Sequence, residues 1–116
     1  MIIIKRVYDS RESSEGKVFL VDRIWPRGIR KADLKIDGWL KEVAPTAELR
    51  RWFHQKPDQW QEFKRQYYKE LDRIPEAWKP ILKAAQDGDI TLLYSSKNRE
   101  HNNAVALKAY LEEKLG

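Results

Sequence analysis

Ile90-Thr91-Leu92-Leu93-Tyr94 is a run of five residues, mostly apolar, with Gly88 shortly before it and the polar stretch Ser95–Asn103 after it. A run this short, bounded by turn formers, reads as a buried strand. What flanks it decides the fold. Before it, Trp78, Ile81, Leu82 and Ala85 recur at helical spacing up to Gly88; after it, Glu100–Leu115 carries Ala104, Leu107, Leu111 and Leu115 on one side. A strand set between two amphipathic helices belongs to an α/β domain.

The same reading extends outward in both directions. Met1–Val7, with three consecutive isoleucines, and Val18–Asp22 are two further buried strands, and Trp39–Val43 is a weaker third, ended by Pro45. Thr46 is an N-cap candidate for a helix through Phe53. Asp58 followed by Gln61 suggests a capping box for the next helix, where Trp60, Phe63, Tyr67 and Leu71 form one apolar stripe. That stripe is expected to pack on the sheet. Pro75 and Pro80 leave the start of the third helix open. The expectation is one α/β domain over residues 1–116, with a small, mostly parallel sheet of about four strands packed by helices. The ten-residue link Tyr8–Lys17 is short for a crossover helix, so the first two strands are either antiparallel or not adjacent.

Composition narrows the function classes. At 116 residues the chain can bury a core of its own. It has no cysteine and two histidines, which excludes disulfides, thiol nucleophiles and thiolate metal sites and leaves no metal or cofactor expected. No apolar run reaches the ~18 residues of a membrane span, and the opening MIIIKR is too short for a signal peptide, so a cytoplasmic location is expected. The net charge is +5, and residues 1–31 hold eight basic groups against four acidic ones. Such an imbalance favours an anionic partner near that quarter of the chain.

In an open α/β sheet, ligands bind beyond the carboxyl ends of the strands. Lys5, Arg6 and Tyr8 follow the first strand; Asp22-Arg23-Ile24-Trp25-Pro26-Arg27-Gly28 follows the second. Tyr94-Ser95-Ser96-Lys97-Asn98 follows the last, with His101, Asn102 and Asn103 in what reads as the first turn of the final helix. Arg23 and Arg27 offer planar forks suited to phosphate or carboxylate, with Lys97 and the helix start completing a cradle. Arg6, Tyr8, Trp25, Tyr94, Ser95, Asn102 and Asn103 complete the expected ligand-binding set. Asp22 or His101 would handle a proton if turnover occurs. A Ser95–His101–Asp22 triad can be drawn, but spacing alone does not support it, and the familiar nucleophile and nucleotide-loop motifs are absent. Each residue also has an ordinary reading: Asp22 paired to Arg23 or Arg27, Trp25-Pro26 pinning a turn, the asparagines as caps, His54 as a capping or packing residue.

Lys5-Arg6-Val7-Tyr8, Val21-Asp22-Arg23-Ile24-Trp25-Pro26-Arg27-Gly28, Leu49-Arg50-Arg51-Trp52-Phe53-His54 and Thr91-Leu92-Leu93-Tyr94-Ser95-Ser96-Lys97 together resemble the YeaO-like family of small bacterial proteins. The resemblance runs essentially the whole chain; its most specific elements are the D-R-x-W-P-R-G block and Lys97…His101-Asn102-Asn103-Ala104. It implies a single α/β domain and a cytosolic bacterial origin, and it supplies no reaction. Distant, longer members look similar but carry Cys and His where this chain has Ser95–Asn103, so thiol chemistry does not carry over. Three readings follow. The leading one is a site for an anionic small molecule such as a nucleotide or phosphorylated metabolite. The others are a nucleic-acid-binding module, and a protein-interaction domain whose partner covers Trp39 or Trp78. Oligomeric state is not legible.

Overall fold

The computed structural model describes residues 1–11 and 16–116, so part of the Tyr8–Lys17 link lies outside the described residues. Four strands form one sheet: β1 (Ile2–Arg6), β2 (Lys17–Leu20), β3 (Gly38–Trp39) and β4 (Ile90–Tyr94). Their order is β1-β4-β2-β3, and every pairing is parallel. β4 therefore lies between β1 and β2, with Ile2 opposite Ile90 on one side and Lys17 opposite Ile90 on the other. The first two strands are thus not adjacent. A ten-residue link has the reach to make the return from the end of β1 to the start of β2, roughly 20 Å. Gly16 closes that return at φ +67°, where a Cβ would overlap the Asp89 carbonyl oxygen.

Side chains alternate across β4, and the two faces are covered differently. Ile90, Leu92 and Tyr94 join Ile2, Val21, Phe63, Tyr67 and Leu107 in the larger core. That core is closed by four helices: α1 (Ala47–Gln55), α2 (Trp60–Asp72), α3 (Pro75–Asp87) and α4 (Asn103–Leu115). Leu93 faces the other way and joins Val7, Val18, Leu20 and Leu34 under Trp25, Ile29, Ile36 and Trp39. Most of this second cover comes from the link between β2 and β3. Truncating a fully buried residue such as Leu71 to alanine costs about 2–5 kcal/mol in a core of this kind.

Local corrections to the sequence reading concern element ends. The third strand is Gly38–Trp39 rather than Trp39–Val43: after Leu40, whose N–H still reaches the Leu20 carbonyl, Lys41–Val43 coils into a 3₁₀ turn. Thr46 does cap α1, its side chain accepting from the Leu49 N–H. Asp58 caps nothing; α2 starts from Gln59, which makes no side-chain cap bond. Pro75 takes the first position of α3, where its missing N–H costs least. α4 starts at Asn103, so His101 precedes the helix. Among the described residues, no helix is long and apolar enough to cross a membrane.

Trp78 is 7% exposed and donates to the Leu71 carbonyl. Trp39 is half-buried, packs edge-on against Trp25 at 5.3 Å and carries the Lys31 and Lys41 ammonium groups over its ring. Both are already packed.

Candidate functional site

Asp22 leaves the carboxyl end of β2, and its carboxylate ties three segments together. One oxygen accepts from the Ser95 N–H (2.9 Å) and Ser95 Oγ (2.6 Å) at the end of β4. The other accepts from Asn103 Nδ2 (2.9 Å), which also donates to the Val21 carbonyl. The segment between β4 and α4 is pinned as tightly. Asn98 Oδ1 accepts from the N–H groups of Glu100 and His101, Asn102 Nδ2 donates to the Asn98 carbonyl, and Asn102 Oδ1 caps α4 at Val105. Asn98 and Asn102 thus act as local caps, as their chemistry allows. Arg6 supports this segment from behind, donating to the Ser95 and Ser96 carbonyls at 3.0 and 2.9 Å. Beside it, Asp9 accepts from the Arg6 N–H and from both Arg99 terminal nitrogens. The Arg99 guanidinium holds the Asp9 carboxyl down to about 2.

The facing wall begins with Arg23. Its guanidinium donates to the carbonyls of Pro45 (3.2 Å) and Ala44 (3.0 Å), while the buried Tyr67 hydroxyl donates to the Val43 carbonyl (2.5 Å). Burial pushes the Tyr67 phenol well above its ordinary range. The turn entering α1 is therefore held from two sides. This sets α1 so that Ala47, Arg50, Arg51 and His54 line one cleft; their spacing of three, four and seven residues puts them on one helix face. The link after β2 is equally fixed. Trp25 Nε1 donates to the Ile29 carbonyl, Tyr8 hydroxyl donates to the Arg27 carbonyl, and Gly28 takes φ +81°.

Between these walls lies a cleft of about 1110 Å³. It gathers Asp22, Arg23, Trp25, Arg27, Ser95, His101, Asn102 and Asn103, eight of the twelve residues expected from the sequence. The other four stand elsewhere. Tyr94 is 2% exposed in the helix-side core. Arg6 and Tyr8 do not line the cleft themselves; they donate to backbone carbonyls of residues that do, Ser95, Ser96 and Arg27, with the Arg6 guanidinium 4.7 Å over the Tyr8 ring. Lys97 is exposed and does not line the cleft. Sequence reasoning missed Arg50 and Arg51, and it treated His54 as a capping or packing residue although it is exposed on the cleft; Asn98, read as a strand-end residue and candidate cap, lines the cleft as well. The three-four-seven spacing in α1 was the available signal.

The charge pattern is one-sided. Among the described residues, four guanidinium groups (Arg23, Arg27, Arg50, Arg51) and two imidazoles line the cleft, against one carboxylate, Asp22. That carboxylate is already occupied by three donors. Arg23 is bonded only to neutral carbonyls, and Arg27, Arg50 and Arg51 form no ion pair among the described residues. No group of three or more His, Cys, Asp or Glu placed to hold a metal occurs among the described residues.

Over residues 1–116 the chain matches the family model described as the inactive DUF488-N3 subclade. The chain belongs to this family. Within reach of the subclade match, the uncharacterised protein YeaO of Escherichia coli is 45% identical over 107 residues, covering 92% of this chain and 93% of its own. An uncharacterised protein of Mycobacterium tuberculosis H37Rv is 47% identical over 68 residues, 59% of this chain and 58% of its own. A Mycobacterium bovis protein, also uncharacterised, aligns with the same figures. No solved structure matches the chain.

Proposed function

We propose that the cleft binds a small anionic molecule, a nucleotide or other phosphorylated metabolite, at the carboxyl ends of β2 and β4. One observation carries the reading: four arginines line a cleft whose only lining carboxylate among the described residues is committed to Ser95 and Asn103. Guanidinium groups gathered without counter-ions repel one another, and a bound phosphate or carboxylate relieves that repulsion through forked, charge-assisted bonds. The first turn of α4 opens on the cleft and adds its partial positive charge.

Binding without turnover is the form of this reading that the residues favour. Asp22 holds three donors, and Ser95 Oγ donates to it. His101 stacks on Trp60 at 4.6 Å and not on a nucleophile. The subclade's description as inactive agrees with a binding role.

The test is a thermal-shift screen of nucleotides, phosphate esters and small carboxylates at constant ionic strength, beside Arg27→Ala. A ligand at ~100 times its dissociation constant adds about 2.7 kcal/mol of apparent stability. The expected result is a stabilising ligand whose effect is lost in Arg27→Ala. Stabilisation unchanged in that variant, or none by any compound, overturns the assignment.

A further inference from the structure

Four aromatic rings from three separate segments form a continuous ladder, and three of them line the cleft. His101 lies on Trp60 with centroids 4.6 Å apart and planes 15° apart; Trp60 lies on Phe63 at 5.6 Å and 16°. Phe63 lies on Phe53 at 4.5 Å and 28°. The ladder runs from the approach to α4, across the start of α2, to the last turn of α1. His101, Phe63 and Phe53 all line the cleft that holds the arginines.

A second observation comes from the link after β2. Arg23, Trp25 and the Arg27 carbonyl are all fixed by hydrogen bonds, yet Ile24 between them is 63% exposed and also lines the cleft. A single exposed isoleucine is ordinary. Here it is held in a rigid turn beside two arginines, on a cleft already walled by rings. The arginines satisfy charge; the half-buried rings of His101 and Phe53, backed by the buried Phe63, and the exposed Ile24 offer contact to a flat apolar body, since stacked and edge-on aromatic contacts add to simple burial.

We infer that the cleft selects phosphate monoesters carrying an aromatic group, the nucleoside monophosphates among them. This rests on the anion-binding reading above. Two matched pairs test it, at pH 8 where all four compounds are dianions: phenyl against methyl phosphate, and adenosine 5′-monophosphate against ribose 5-phosphate. Calorimetric titration is expected to show the aromatic member binding about tenfold tighter in at least one pair. Ile24→Ser, at an exposed position that leaves the core intact, is expected to weaken the aromatic member at least threefold and leave its partner unchanged. Equal affinities within both pairs overturn the inference while the anion site stands. So does an Ile24→Ser variant that keeps the full aromatic preference. If none of the four compounds binds, the anion reading fails and this inference falls with it.

Discussion

Asp22 and Arg50 face the same cleft, and their surroundings are opposite. The Asp22 carboxylate has three donors within 2.9 Å, drawn from the end of β4 and the start of α4. Arg50 and Arg51 stand exposed on α1 with no partner among the described residues. A polar group with all its bonds made inside the protein holds the fold; one held in place with none left over from the fold is available to a ligand. Arg23 lies between the two, bonded to neutral carbonyls and still charged.

The largest expected effect sharpens the structural side. Asp22→Ala leaves the Ser95 N–H and Asn103 amide without their charged acceptor, and should cost about 3 kcal/mol. Urea unfolding measures this; a loss below about 0.5 kcal/mol would break the contrast, because Asp22 would then be as dispensable to the fold as a rim residue. Arg23→Ala should fall between, at about 1 kcal/mol, from the uncapped Ala44 and Pro45 carbonyls.

On the open side the sign changes. Arg50→Ala and Arg51→Ala should leave ligand-free stability within about 0.5 kcal/mol, or raise it slightly by easing repulsion. Anion-dependent stabilisation should fall in both. A large loss of stability in either would place that arginine with Asp22.

The smallest effect is a pH dependence behind the cleft. Asp9, held down to about 2 by Arg99, has a folded-state pKa below its ordinary value near 3.9. Its contribution is complete above about pH 4 and is lost as pH falls through about 2. Arg99→Gln should remove this part of the acid sensitivity, and its Asp9 carboxyl should titrate closer to pH 4 by carbon-detected NMR. An unchanged Asp9 titration would show that Arg99 is not the cause.

Much of this was readable from local pattern. The ITLLY strand, the polar segment after it and the D-R-x-W-P-R-G link are each decided by a few neighbouring residues, and α/β topology sends strand ends to one side of the sheet. What was hidden depends on long-range placement. Nothing near Ile2 or Val18 says that β4 will insert between their strands. Arg50 and His54 reach the cleft only because Arg23 and Tyr67, distant in sequence, fix the turn that aims α1. Tyr94 looked like a strand-end ligand, but the parity of β4 turns it into the helix-side core with Ile90 and Leu92. The third strand failed one residue after Leu40, where a 3₁₀ turn took over from the ladder.

The most direct measurement is an NMR titration of the arginine Nε–H groups with phenyl phosphate at constant ionic strength. Arg27, Arg50 and Arg51 should shift and saturate together. Arg30 and Arg65, paired to Asp33 and Glu62 away from the cleft, should stay still. Saturating shifts confined to the first three are the predicted result. Shifts spread evenly over all five, or absent from the cleft arginines, would contradict the account.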